Sequence, residues 1–272
     1  MILKNHKSET LRNCEAISRT QSRKSYGFLG VRNHKSRSGF SLMEVLIAVG
    51  TLALGMLFIA SVFPAGVYWT TVASERTISA VAADEAFAKI KLYGIPSTVL
   101  STMSDTNQVS LSGPGVYPDA EYAYPSTPTD PNSKRYWWSA IGRREPNSLN
   151  DVQVTVFVSR KVGSMTTYPG AASLGRPIAV PVTVNNGIRN DELAITGNKT
   201  YINDGCTIVD SYNGQIYRVL ERYPSNDMVI RLDKDWQRGV IAPPYNVVWV
   251  VPPPVGGGRY PCIAVYQKVM RF

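Results

Sequence analysis

The sequence predicts an α+β chain: one long N-terminal helix, membrane-spanning in its first half, packed on a β-rich antiparallel C-terminal head. Thirty residues from Val45 to Ser74 carry no formal charge. An Ala-rich amphipathic run follows and ends at Gly94 and Pro96. From Ile95 onward the texture changes to short β-branched runs punctuated by Gly, Pro and Asn. These observations divide the chain into a basic leader over residues 1–39, a helix over 40–94 and a head over 95–272.

The basic segment accounts for most of the charge. Across 272 residues the formal net charge is +9, a value that ordinarily invites a nucleic-acid partner. Residues 1–39, however, hold nine Lys and Arg against Glu9 and Glu15, whereas the rest hold twenty against eighteen acids. No nucleic-acid partner is therefore predicted for the folded part. Both histidines, His6 and His34, also precede residue 40. Without imidazole, Ser-His and Cys-His nucleophile pairs are excluded beyond that point. The eighteen remaining acids form no organised constellation, so the chain is read as neither an enzyme nor a cofactor binder.

The helix begins with a segment long enough to span a bilayer. Val45–Phe63 reads VLIAVGTLALGMLFIASVF, and nineteen residues at about 1.5 Å each cover roughly 28 Å, close to one hydrocarbon core. Arg32, Lys35 and Arg37 crowd its near side, while the first basic residue beyond it is Arg76. That asymmetry keeps the N-terminus cytoplasmic and sends the head across. A cleaved secretory signal has a shorter apolar region ending at a small-x-small site, and Ala60–Ala65 offers no convincing one. Glu44 stands at the edge of the apolar run, where an ionised carboxylate is costly and calls for a cationic partner.

The stretch Arg37-Ser38-Gly39-Phe40-Ser41-Leu42-Met43-Glu44-Val45-Leu46-Ile47-Ala48 resembles the processing and methylation site of type IV prepilins and type II secretion pseudopilins. The resemblance covers about 30 residues. It implies that a prepilin peptidase of the inner membrane cuts after Gly39, that Phe40 is N-methylated, and that Glu44 serves assembly with other pilin or pseudopilin subunits. The 39-residue leader is longer than most in that family. Removing it creates an ammonium at Phe40, and Glu44 is the nearest carboxylate. Residues four apart share one helix face, so the pair forms within one chain, or between neighbours staggered along a filament. Either way, pairing offsets the desolvation each charge suffers alone.

Past the span, Pro64 and Gly66 predict a kink, not a stop. Ile78, Val81, Ala82, Ala86 and Ile90 then recur at three- and four-residue spacing, a stripe suited to docking on a domain. In the head, Gly113–Ser133 holds five prolines and no Lys or Arg, and reads as an extended loop outside the core. Val152–Val158 alternates as a half-buried strand. Strands are also predicted at 136–141, 178–184, 206–210, 215–220, 228–232, 247–251 and 263–269, with Asn213-Gly214 as a hairpin turn.

Other candidate sites in the head have simpler readings. Gly256-Gly257-Gly258-Arg259 lacks the Lys-Ser/Thr ending and following helix of a phosphate loop. Asp233 with Asp235, or Asn203 with Asp204, are too few oxygens for calcium and read as turn residues. Trp137 and Trp138 should lie on opposite strand faces, one buried and one exposed, with Arg143-Arg144 a solvated strand end. Cys206 and Cys262 can form one disulfide in an oxidising compartment, or remain two buried thiols. They do not make a metal site.

The predicted function is a filament subunit of a type II secretion or type IV pilus-like system. It would be single-pass in the inner membrane, with its head in the periplasm or on an extracellular filament. The alternatives are an anchored periplasmic binding module that uses the same processing but never polymerises, and a periplasmic enzyme on a signal anchor.

Overall fold

The computed structural model describes residues 39–126, 134–146, 148, 150–163, 166–170, 175–237 and 246–272. The basic leader up to residue 38 and the part of the Pro-rich stretch over 127–133 lie outside the described residues. The chain divides into two units, Met1–Phe58 and Ile59–Phe272.

The apolar and Ala-rich runs form one helix, α1 (Leu42–Tyr93), which continues through Pro64 without a stop. Every residue from Gly39 to Thr71 is exposed, and the helix is long and apolar enough to cross a membrane. Gly94, at φ 71°, ends it and donates its N–H to the carbonyl of Ile90, as only a residue tolerant of the left-handed region does cheaply.

The rest of the second unit is antiparallel β-structure in two parts. A five-stranded sheet contains β1 (Val109–Ser110), β2 (Ala123–Tyr124), β3 (Tyr136–Arg144), β4 (Asp151–Arg160) and β11 (Cys262–Arg271). It runs β1-β3-β4-β11, with β2 also on β3. Between β4 and β11 the chain builds a closed barrel from β5 (Val180–Asn186), β6 (Glu192–Ile195), β7 (Thr207–Asp210), β8 (Ile216–Arg222), β9 (Val229–Leu232) and β10 (Val247–Val250). The two ends of this insertion meet: the Arg160 N–H donates to the Pro261 carbonyl at 2.8 Å. A short helix, α2 (Ser97–Thr102), links α1 to the sheet.

The second half of α1 packs on the sheet through Ser79, Ala82, Ala83, Ala86, Phe87 and Ile90, which join Val152, Val154, Val156 and Val158 of β4 in one core. The small residues allow the backbones to approach, and Ser79 Oγ meets the Tyr266 hydroxyl at 3.0 Å. This stripe is rotated from the expected one: Ala82, Ala86 and Ile90 are inside, but Val81 is half exposed and Ile78 only partly covered. Ala83 and Phe87 are the inward residues whose place the spacing left unread. Lys89 bridges Glu85 and Glu121, both at 3.1 Å, and Arg160 pairs with Glu75.

The other face of the sheet is covered as well. Ile141 and Phe157 point into a second cluster with Val209, Trp249 and Val251 from the barrel's outer side. The barrel interior is filled by Val180, Val182, Val184, Leu193, Ile230 and Val248, among others, as expected for a small closed barrel. Covering both faces corrects three expectations. Strand β4 is buried on both faces, not on one. Trp137 and Trp138 are both buried, at 5% and 1% exposure. Arg143 is not solvated. Its guanidinium bonds Gln153 Oε1 and the carbonyls of Asp105 and Tyr212, the latter two at 3.1 Å, tying the sheet to the β7–β8 turn.

The proline-rich loop also differs from expectation. Tyr117, Tyr122 and Ala123 enter the helix–sheet core, with Tyr122 4.8 Å from Trp138. Aromatic burial outweighs the extended, polar character that its prolines suggest.

Candidate functional site

The candidate site is the start of α1. Gly39 and Phe40 precede the helix in non-helical backbone, and Phe40 is 82% exposed. Among the described residues, a Cβ built on Gly39 would meet nothing within 4 Å. In this chain the Phe40 nitrogen is an amide and carries no charge.

Ser41 is a site residue the sequence reading missed. Its carbonyl accepts from the N–H groups of Glu44 and Val45 at 3.0 and 3.2 Å, and its Oγ accepts from Glu44 N–H at 3.2 Å. Ser41 is therefore the N-cap of α1. Glu44 is the third helical residue, in the first turn where backbone N–H groups favour a carboxylate. The Ser-x-x-Glu spacing of a capping box was the available signal. Glu44 is exposed, and among the described residues it belongs to no ion pair.

The candidates in the head serve the fold. Asp233 Oδ1 accepts the Arg218 N–H at 2.9 Å, and Asp204 Oδ1 accepts the Arg222 N–H at 2.8 Å. Each carboxylate thus finishes a turn, and among the described residues no three His, Cys, Asp or Glu converge on a metal position. Gly256, Gly257 and Gly258 all have positive φ, and Gly257 N–H donates to the Pro254 carbonyl at 3.0 Å, closing a turn open only to glycine. The Asn213-Gly214 hairpin forms as expected, with Gly214 at φ 72° and its N–H on the Asp210 carbonyl at 3.0 Å.

Cys206 and Cys262 are both free thiols, not a disulfide. Cys206 lies just before β7, not within a strand, and is fully buried. Burial pushes both thiols up to about 12, with the neighbouring Cys262 adding to the effect at Cys206. Cys262 is partly exposed and borders a cleft, yet desolvation is the chief cause of its raised pKa. At neutral pH the reactive thiolate is then a fraction on the order of one in 10⁵. Native protein should therefore resist alkylation at both positions while an unfolded control is labelled completely. Rapid native labelling, or an intact mass two hydrogens short without reductant, would overturn this and restore the bridge.

No family model, curated protein or solved structure matches this chain. The six-stranded barrel also lies outside the helix-plus-sheet outline that the prepilin resemblance implied.

Proposed function

We propose that this chain is a prepilin-like subunit, cut after Gly39, methylated at Phe40 and anchored in the inner membrane by the first half of α1, with its head on the far side. A prepilin peptidase and other pilin or pseudopilin subunits are its partners in this reading. The observation that carries it is the succession Gly39-Phe40, Glu44 and an apolar first half of α1 in which every residue up to Thr71 is exposed. An exposed Phe40, a carboxylate with no ion pair among the described residues and a span with no buried residue fit a segment completed by other molecules. N-terminal sequencing and intact mass of membrane-extracted protein should give Phe40 as the first residue, carrying one methyl group. Retention of Met1, or a cut near Ala65, would sink the proposal.

A second reading has an observation of its own. Glu44 is the third residue of a helix capped by Ser41, which accepts its backbone N–H, and a carboxylate in a first helical turn is favourable without any neighbouring subunit. That favours an anchored head which is processed but does not polymerise.

A further inference from the structure

We propose that an arginine-lined cleft beside residues 68–76 of α1 binds the phosphate of an anionic phospholipid headgroup, an inference that rests on the membrane-anchored reading above. The cleft measures about 590 Å³ and lies wholly within the second unit. Four guanidinium groups line it from four places in the sequence: Arg76 in α1, Arg160 at the end of β4, Arg218 in β8 and Arg259 in the turn before β11. Arg160 is neutralised by Glu75. The other lining acid, Asp204, is engaged by the Arg222 N–H. Arg76, Arg218 and Arg259 are exposed and have no carboxylate partner among the described residues. With Glu75 spent on Arg160, three arginines share the cleft with the single carboxylate of Asp204, and an anion offsets the remaining positive excess. Guanidinium forks suit phosphate oxygens in particular.

Position selects the source of the phosphate. Tyr68 lines the same cleft, and Trp69 beside it is 67% exposed. Their rings stand edge to face at 5.6 Å, five and six residues past Phe63, where the densest apolar run ends. Aromatic residues there mark the boundary between hydrocarbon and headgroups. From Trp69 to Arg76 the helix rises only about 10 Å, so long arginine stems reach back to the phosphate layer. A free phosphate would need no such placement.

The test is electron spin resonance of the full chain reconstituted in phosphatidylcholine vesicles, with spin-labelled phosphatidylglycerol or phosphatidylcholine as probe. Phosphatidylglycerol should associate preferentially, by roughly fivefold for each engaged arginine at low salt, and the preference should shrink as salt rises. The Arg76→Gln/Arg218→Gln/Arg259→Gln protein should show no preference, and Arg259→Gln alone, at an exposed turn, a reduced one. Arg189→Gln, outside the cleft, should behave as the parent. Equal association of both lipids with the parent would overturn the inference while leaving the anchor intact. Failure to enter any vesicle would overturn the anchor itself. Displacement of the lipid by millimolar inorganic phosphate, or by an acidic peptide, would reassign the cleft to a soluble ligand.

Discussion

A Glu44→Gln protein is expected to enter the membrane and lose residues 1–39 as the parent does, yet to co-assemble with partner subunits at least about 100-fold less well. Glutamine keeps the shape of the side chain and still suits the third position of a capping box, so the helix start defined by Ser41 should persist. Removing the charge makes insertion no harder, since a carboxylate is what burial penalises. What disappears is the counter-charge for the Phe40 ammonium that cleavage creates. Breaking one partner of a buried ion pair costs about 3–5 kcal/mol, and each 1.36 kcal/mol is a factor of ten. The measurement is co-purification of processed Glu44→Gln protein with its partners, beside the parent at equal expression. Undiminished co-assembly would leave Glu44 with its capping role alone and favour the anchor that does not polymerise.

Gly214→Ala should destabilise the second unit by about 2–5 kcal/mol, against about 1–2 kcal/mol for Gly205→Ala. Both glycines have positive φ, 72° and 76°, and so pay the same left-handed penalty of about 1–2 kcal/mol with a Cβ. They differ in surroundings. A Cβ at Gly205 meets nothing within 4 Å, whereas one at Gly214 would stand 2.5 Å from Gln153 Oε1. That amide cannot simply swing away, because Arg143 holds it. Gln267 Nε2 meanwhile holds the Gly214 carbonyl at 2.6 Å and Thr155 Oγ1 at 3.1 Å. Overpacking of this kind adds about 1–3 kcal/mol. Denaturant unfolding of the detergent-solubilised chain, followed by tryptophan fluorescence, measures the two shifts. Equal shifts would mean that the β7–β8 turn does not bear on the sheet.

The contrast between these glycines marks where the sequence was legible. Asn213-Gly214 announces a hairpin because the turn type is a local matter of φ, and the hairpin is there. That its tip wedges against Gln153 and Arg143, some sixty residues earlier, has no local signature. The helix was legible in length and in the residues at its ends, since a missing charge over thirty positions and a Gly-x-Pro stop need no tertiary knowledge. Its buried stripe was read slightly off because Ala83 and Ser79 are inside for their smallness, not their hydrophobicity. Seven strands were placed within about two residues at either end, and β3 runs three residues past its expected end, to Arg144. The closed barrel was not foreseen, because its closure needs β6, four residues long between Gly187 and Gly197, too short to alternate visibly. The same limit explains Trp137 and Arg143. Alternation predicts two faces, and only the assembled unit shows that both are covered. At the candidate site the prepilin resemblance singles out Gly39, Phe40 and Glu44, and the cap made by Ser41 between them emerges from the backbone of the helix start.

The insertion of the barrel between β4 and β11 has a consequence for the order of folding. One of the sheet's two nine-pair ladders joins Asp151–Arg160 to Cys262–Arg271, residues more than a hundred apart. Pairing over such a separation is slow to form and is helped when the intervening chain has already condensed. Strand β11 also carries Tyr266, which meets Ser79 of the helix. The seam between helix and sheet is therefore closed only when β11 has returned to β4, with the barrel between them already gathered.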